Sequence, residues 1–355
     1  MLSACLEKLE NPDETERSYA AEDIGYLNDA NGVEPLLARL GKEDSRAVRD
    51  VIFQALLRID ADAAIEGSIR LLESDDPQIR NQAVEVLRNK GAAAIPFLSV
   101  VMRDGDKDLR KLVLDVLIAL PTTGAESIYE AALGDSDPNV VITAVENLGR
   151  TRATQFRGRV EDLLLTGSHP MLVAACLEAL GGIGNELSLA AINRRFPDLA
   201  AVPDFFLASC LKAIGALGTV EEFVAVARLL AVRGRHLGPM ILNALVAIHE
   251  RHPERHADPS HSESLLPILQ AIVEQGVEQG DVPLCRYQAV RALGFLSPCE
   301  PVCSFLIACL SSSERMVRLG AVESLRVTPR PGLAGILASR VAQETDREVL
   351  QALTC

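Results

Sequence analysis

A histidine-rich stretch is the most obvious place for chemistry in this chain. HERHPERHADPSHSES, residues 249–264, holds four of the six histidines. It contains His249, His252, His256 and His261, with the carboxylates Glu250, Glu254 and Asp258 between them. Imidazoles three or four residues apart can share a helical face and hold Zn²⁺ or Ni²⁺. Pro253 and Pro259 instead favour a solvated loop, and no cysteine or second histidine pair completes a metal site. Two interpretations stay open, a metal site and an inserted loop that contacts a partner.

Six arginines form a second candidate site. They are Arg157, Arg159, Arg194, Arg195, Arg228 and Arg233, and they recur at roughly regular intervals through an otherwise acidic chain. A guanidinium binds carboxylate or phosphate groups in a bidentate manner, so these side chains predict a basic strip that contacts a partner. The alternative is a set of ordinary exposed arginines paired with nearby carboxylates, namely Glu161, Asp162, Glu221 and Glu222.

The cysteines offer a third possibility for chemistry. Cys285, Cys299, Cys303 and Cys309 lie in the last third of the chain. Cys299 and Cys303 begin a predicted helix, whose dipole can lower a thiol pKa and favour redox or metal chemistry. Their apolar neighbours, VCSFLIACL, favour buried small side chains instead. Because the eight cysteines form no dense framework, we expect a reducing compartment, the cytoplasm.

Catalysis requires a set of residues that this sequence lacks. It contains no phosphate-binding loop, no Ser/His/Asp order typical of hydrolases and no zinc-ligand spacing. We therefore expect a protein that is not an enzyme and that carries no cofactor.

Charge and hydropathy exclude further classes. The formal net charge is −14, which repels a phosphate backbone and predicts no nucleic-acid binding. A helix needs about 18 consecutive apolar residues to cross a bilayer, and no apolar run in the sequence approaches this length. We therefore expect no membrane insertion. Residues 1–150 carry 28 Asp and Glu against 16 Lys and Arg, a net of −12, whereas residues 151–355 carry 21 against 19. The acidic first half indicates either a basic partner or a face that keeps the protein in solution.

A repeated sequence motif, which we call the repeated phrase, indicates the structural elements that position these residues. DPQIRNQAVEVL begins at Asp76, and DPNVVITAVENL begins 61 residues later at Asp137, with six of twelve positions identical. Relatives of its A-V-E-x-L core have successive spacings of 32, 31, 30, 31, 32, 34, 34, 45 and 32 residues. Their first residues are Ala20, Ile52, Ala83, Val113, Ala144, Cys176, Cys210, Ala244, Ala289 and Ala321. Such a steady period is typical of an array of supersecondary units, and the 45-residue interval marks the histidine-rich insertion.

Each unit reads as two helices joined by a short turn. Ile79, Ala83 and Leu87 form an apolar stripe at helical spacing, Asp76 is a suitable N-cap, and Pro77 fits the first helical position. A glycine-containing break follows, and then a second apolar stretch. Strand patterns are missing, so the sequence predicts an all-α array.

The repeated phrase resembles a known repeat. DDPQIRNQAVEVL, DSDPNVVITAVENLG and SSSERMVRLGAVESL are similar to the HEAT-like repeat of the phycobilisome-lyase type. The resemblance implies an α-α superhelix of about ten to eleven helical hairpins, forming one solenoid over residues 1–355. The family includes scaffolds, lyase-associated chaperone-like subunits and a few enzymes. The His-Glu pairs of the iron-dependent hydroxylases are absent, because the corresponding places read AAEDIG, AVEVLR and AVENLG.

These observations favour a cytoplasmic, bacterial scaffold that binds a protein partner on the concave surface lined by the second helices. Two alternatives stay open, a bilin lyase or lyase chaperone-like subunit and a metal-binding protein that uses the histidine-rich insertion. The chain ends inside an eleventh first helix, EVLQALTC, without a polar capping repeat. This ending predicts that a homodimer mate or a longer chain covers the last repeat.

Overall fold

The fold is all-α, as the sequence predicts. A computed structural model describes residues 1–118, 120, 124–253, 256–277, 281–328 and 331–354, apart from the side chain of Arg235. Over this part of the chain it contains 21 α-helices, four short 3-10 helices and no β-strand, arranged as a solenoid of helix pairs. The chain divides into two compact units, Met1–Thr151 and Arg152–Cys355.

The Met1–Thr151 unit holds the first ten helices. In chain order they are α1 (Leu2–Lys8), α2 (Glu14–Leu27), α3 (Val33–Leu40), α4 (Arg46–Arg58), α5 (Asp62–Leu71), α6 (Pro77–Lys90), α7 (Ile95–Asp104), α8 (Lys107–Leu117), α9 (Glu126–Leu133) and α10 (Pro138–Arg150). The first helices of successive pairs, α2, α4, α6, α8 and α10, pack in one row. The second helices, α3, α5, α7 and α9, pack in another.

The Arg152–Cys355 unit holds the other eleven helices. They are α11 (Arg157–Thr166), α12 (Pro170–Ile183), α13 (Glu186–Arg195), α14 (Asp204–Leu217), α15 (Val220–Arg251), α16 (Pro259–Gln275), α17 (Val282–Leu293), α18 (Glu300–Cys309), α19 (Arg315–Arg326), α20 (Leu333–Val341) and α21 (Arg347–Thr354). The row α12, α14, α15, α17, α19 and α21 is continuous by direct contact. With α15 counted in two successive pairs, α2–α20 give ten pairs in chain order, and α21 begins an eleventh.

The repeat positions identified in the sequence are buried. Nine of the ten first residues of the A-V-E-x-L core have no exposed surface, and Ala244 is 4% exposed. Cys176 and Cys210 lie at equivalent places in this series, which confirms that they belong to the core. The period of the sequence therefore follows the packing of one first helix against the next.

Small residues allow the first helices to approach closely. A Cβ atom added to Gly25 in α2 would lie 2.7 Å from the Cα atom of Ala55 in α4. Similarly, a Cβ atom on Gly215 in α14 would lie 3.2 Å from the Cα atom of Ala244. Because the neighbouring atoms belong to the backbone, these contacts cannot relax by a side-chain rotation.

Gly25→Ala should therefore destabilise the protein although alanine favours helices. We expect the free energy of unfolding to fall by about 1–3 kcal/mol, the usual cost of overpacking. Gly158→Ala in α11 is the matched control, since an added Cβ there meets nothing within 4 Å. It should stabilise by about 0.5–1 kcal/mol. Urea denaturation followed by circular dichroism measures both effects, and a Gly25→Ala variant as stable as the control would contradict the close approach.

A recurring arginine ties three of the first helices, α2, α8 and α19, to their surroundings. Arg17, Arg110 and Arg318 each follow the N-cap residue of their helix by four positions. Their Nη1 groups donate to backbone carbonyls of the preceding turn. Their Nε and Nη2 groups donate to both oxygens of a carboxylate, at 2.7–3.0 Å. This carboxylate lies in the turn after the second helix of the same pair. The carboxylates are Glu43, Asp135 and Glu344. We call this arrangement the arginine clamp.

Two of the clamp carboxylates, Glu43 and Glu344, are held ionised. Burial alone would raise the pKa of Glu43, but hydrogen bonds from Arg17, the Ser45 amide and Arg39 lower it to about 2. Bonds from the Arg318 guanidinium lower the pKa of Glu344 to about 2 against a smaller effect of burial. The clamp arginines Arg17, Arg110 and Arg318 therefore stabilise the fold, and their guanidinium groups are occupied.

Helix α15 differs from the prediction. The repeat period predicts a turn between the helix of Arg228 and the helix of Ala244, but α15 runs without interruption from Val220 to Arg251, with Pro239 inside it. The segment between Phe223 and Asn243 contains no Asp, Asn, Ser or Thr that would cap a new helix. The sequence therefore offers no side chain that would cap a new helix, although Gly238-Pro239 favours a break.

The predicted loop at residues 249–264 is shorter than expected. His249 and Glu250 lie in the last turn of α15, and His261 lies in the first turn of α16. Among the described residues of the stretch, only 252, 253 and 256–258 lie between the two helices, and Glu254 is outside the described residues. Asp258 caps α16 by accepting a hydrogen bond from the Ser260 amide at 2.9 Å. This Asp-Pro helix start is the same as at Asp76.

Candidate interaction surface

The six predicted arginines all lie on second helices, but at different ends. Arg157 and Arg159 are in the first turn of α11, whereas Arg194 and Arg195 are in the last turn of α13. Nη2 of Arg195 donates to the carbonyl of Gly167, which follows α11, at 3.2 Å. The carboxyl ends of α11 and α13 therefore lie together, so that Arg157 and Arg159 are about one helix length, roughly 13 Å, from the α13 pair.

Arg157 and Arg233 have carboxylate partners. Nε of Arg157 lies 3.5 Å from Oε1 of Glu161, one turn along α11. Arg233 pairs with Asp204, and its Nη2 donates to the carbonyl of Ala200 at 2.9 Å. The positive charge of these two side chains is thus largely compensated within the protein.

Arg228 lines the larger of two cavities on this side, which we call the Arg228 cavity. Its volume is about 490 Å³, and it lies between the end of α13, the connector that follows and the first half of α15. Arg228 is exposed and forms no ion pair or hydrogen bond with any residue that the structure describes. The other lining residues are Asn193, Phe196, Pro197, Asp198, Leu199, Ala200, Glu221, Glu222, Ala225, Leu229 and Val232.

The carboxylate of Glu222 is already engaged in this cavity. Its Oε1 accepts from Nδ2 of Asn193 at 2.9 Å, and its Oε2 accepts from the amide of Thr219 at 2.8 Å. Burial would raise its pKa, but the bonds from Thr219 and Asn193 outweigh burial and lower it. Glu222 therefore closes the capping box of α15 and fixes the cavity wall.

A second cavity of about 380 Å³ lies between α11 and α13, and we call it the Arg194 cavity. It is lined by Asp162, Leu165, Thr166, Arg194 and Arg195. Arg194 is exposed and, like Arg228, has no hydrogen-bonding or ionic partner among the described residues. The two cavities together form what we call the second-helix face.

Both cavities combine a free guanidinium with apolar wall atoms. Val232, at the edge of the Arg228 cavity, is 68% exposed, and Leu229 lies one turn before it. A guanidinium binds a carboxylate in a bidentate manner, and the apolar wall suits an aliphatic or aromatic side chain. The second-helix face can thus hold an acidic side chain next to an apolar one.

The histidines do not gather into a metal site. His249 is 1% exposed, its ring meets the ring of Phe295 edge to face at 5.3 Å between centroids, and its Nδ1 has no hydrogen-bond partner in the described structure. Burial first, and then the charges of Arg291 and His256, lower the pKa of His249 to about 4. Among the described residues, no three His, Cys, Asp or Glu side chains are grouped closely enough to hold a metal ion.

The late cysteines are mostly buried, as their apolar neighbours predict. Cys285, Cys303 and Cys309 are 6% exposed or less. Burial raises the pKa of Cys285 and raises that of Cys309 to about 12, so these thiols are poor nucleophiles. Cys299 is half-buried at the N-cap of α18, where its side chain caps no backbone group.

None of the helices in the described part of the chain combines the length and the apolar character that spanning a bilayer requires.

Sequence reasoning missed most of the cavity wall. The connector FPDLAAVP, residues 196–203, forms a 3-10 helix at Leu199–Ala201 and supplies five wall residues. A signal was available, because the interval from Cys176 to Cys210 is 34 residues, two or three longer than most intervals before it. An extended connector places extra side chains at the edge of a repeat array.

Comparison with known protein families gives one match. Residues 2–88, which cover α1–α5 and most of α6, match the family described as HEAT repeats. The match supports a HEAT-like repeat protein. Such repeats commonly serve as protein-interaction scaffolds. The narrower phycobilisome-lyase type is not what the matched family describes and stays a prediction. A search of the curated proteins finds no match to this HEAT-like chain.

Proposed function

We propose that this HEAT-like protein is a non-catalytic scaffold that binds a protein partner on the second-helix face of its Arg152–Cys355 unit. The observation that carries the proposal is the pair of cavities between second helices, in which Arg194 and Arg228 are exposed and unpaired among the described residues. Exposed, unpaired guanidinium groups beside apolar walls are typical of interface residues.

The partner that this face suits best carries an acidic side chain near an apolar one. Its carboxylate would pair with Arg228, and its apolar side chain would cover Val232, which is 68% exposed. Arg157, Arg159, Arg195 and Arg233 surround the two cavities or continue along the same helices, so they would contribute at the rim. Rim charges affect the rate of association more than its strength.

Other properties of the chain are compatible with a scaffold in the cytoplasm. The seven cysteines whose state the structure describes are all free thiols, which supports a reducing compartment. HEAT repeats are commonly interaction scaffolds, which supports a role in binding over catalysis. No observation favours bilin transfer or metal binding over this role.

The double variant Arg194→Glu/Arg228→Glu tests the proposal. The tagged protein would be used to capture its partner from the cells that produce it, and the captured protein would be purified and titrated by calorimetry. We expect the double variant to bind at least about tenfold more weakly, because an acidic partner then meets like charges.

Lys212→Glu is the matched control. Lys212 is exposed on the first helix α14 in the same unit, and its Nζ lies 3.8 Å from a Glu178 oxygen. The substitution changes the charge in the same direction but lies outside the second-helix face. Equal weakening by the control and the double variant would show that overall charge governs binding, and unchanged binding by the double variant would refute the proposed face.

A further inference from the structure

The outward face of α2 carries an unusual pair of exposed aromatic side chains. Tyr19 is 60% exposed and Tyr26 is 67% exposed. Asp23 lies between them and is also exposed, and spacings of four and three residues place all three on one side of the helix. The opposite side of α2 is fully buried at Ala20 and Ile24. We call Tyr19, Asp23 and Tyr26 the α2 face.

One end of the α2 face already binds a guanidinium from the protein itself. The guanidinium carbon of Arg58, at the end of α4, lies 4.4 Å from the centroid of the Tyr26 ring. This is the geometry of a cation–π contact. It shows which kind of group the exposed rings of this face can hold.

The other end of the face lacks such a partner. Among the residues that the structure describes, Tyr19 has no ring contact or cation over it, and Asp23 has no ion pair or hydrogen bond from its side chain. The Lys8 ammonium, which is paired with Glu16, interacts with Asp23 only through its charge. One turn of helix separates these two residues, so a ring and a carboxylate stand side by side. The combination matches an arginine, whose planar group stacks on a ring while its N–H groups bind a carboxylate.

The charge of the surrounding unit selects the same class of partner. Residues 1–150 carry a net charge of −12, with 28 Asp and Glu against 16 Lys and Arg. Such a field attracts cationic segments and repels nucleic acid and anionic lipid. A second copy of this chain would bring the same negative charge and is disfavoured for the same reason. Exposed tyrosines are common at the centres of protein interfaces.

We propose that the α2 face is a second interaction surface, and that its partner is a basic protein segment that places an arginine on Tyr19 and Asp23. This surface lies in the Met1–Thr151 unit and uses none of the residues of the second-helix face. Failure of either proposal would therefore leave the other unaffected.

Fluorescence anisotropy with labelled nona-arginine and nona-lysine peptides tests this surface. The full-length protein should bind nona-arginine more tightly than nona-lysine, because only the guanidinium stacks well on a ring. Tyr19→Ala and Asp23→Asn should each weaken nona-arginine binding about threefold to fivefold. Tyr19→Phe keeps the ring and should bind within about twofold of the wild type.

Glu66→Gln is the matched control for the charge change. Glu66 lies on α5 in the same unit, is exposed and has no partner among the described residues, so the variant removes one negative charge elsewhere. We expect it to bind within about twofold of the wild type. If Glu66→Gln weakened binding as much as Asp23→Asn, the overall negative charge of the unit would explain the effect of Asp23→Asn. That result would overturn the proposal. So would unchanged binding by Tyr19→Ala or no binding of nona-arginine.

Discussion

Glu43→Ala is expected to lower the free energy of unfolding of the Met1–Thr151 unit by about 3–5 kcal/mol, the usual cost of removing one partner of a buried ion pair. The Glu43 side chain is 1% exposed, and it accepts both donors of Arg17 at 2.8 and 2.9 Å. It also accepts from Arg39 at 2.8 Å and from the Ser45 amide at 2.9 Å. The alanine variant would remove the paired carboxylate from the largely buried Arg17 guanidinium and leave Arg39 with Glu10 alone, 3.5 Å from its Nη1.

Glu34→Ala serves as the control for this prediction. Glu34 also pairs with an arginine, Arg70, but both side chains are more than half exposed. Exposed ion pairs contribute about 0–1 kcal/mol, so the control should remain close to the wild type. Denaturant titration at neutral pH measures both variants. A loss below about 1 kcal/mol for Glu43→Ala would contradict the stabilising role of the arginine clamp.

Acidification is expected to destabilise the Arg152–Cys355 unit through His249. Burial holds its folded-state pKa at about 4, against the ordinary histidine pKa of 6.5. Below pH 6.5 the unfolded chain therefore binds a proton that the folded protein excludes, and stability falls progressively as the pH drops towards 4. The difference of about 2.5 pKa units corresponds to about 3 kcal/mol lost over this window.

His249→Phe should remove this part of the pH dependence. A phenyl ring keeps the contact with Phe295 and takes up no proton. His169→Ala is the control, because His169 is exposed at the start of α12 and its side chain caps no backbone group. Free energies of unfolding at pH 7, 6, 5 and 4 should decline less steeply for His249→Phe than for the wild type and the control. Parallel declines in all three proteins would show that His249 is not the titrating group.

The sequence predicts the helix pairs well because one periodic signal governs them. A small buried residue, such as Ala83 or Cys210, must recur wherever one first helix packs on the next. The Asp-Pro helix starts at Asp76 and Asp137 are equally local, since capping involves residues within one turn. Periodicity and capping together are sufficient to identify the fold class.

Contacts between distant residues are what the sequence does not reveal. Arg17 pairs with a carboxylate 26 residues away, and Arg233 pairs with one 29 residues away. A single sequence cannot distinguish these arginines from Arg228, which has no partner in the described structure. The Arg228 cavity likewise depends on the connector at residues 196–203. The length of this connector can be read from the sequence, but its course along the protein surface cannot. The positions of the six candidate arginines were thus predictable, and their different surroundings were not.

Site-specific photo-crosslinking tests the central claim, binding at the second-helix face, most directly. A photoreactive amino acid would replace Arg194 or Arg228 in one set of proteins and Lys212, outside that face, in the control. After irradiation in the cells that produce the protein, the account predicts one discrete crosslinked partner from positions 194 and 228 and little or none from position 212. No crosslinked protein from the two face positions, or the same yield from all three, would contradict it.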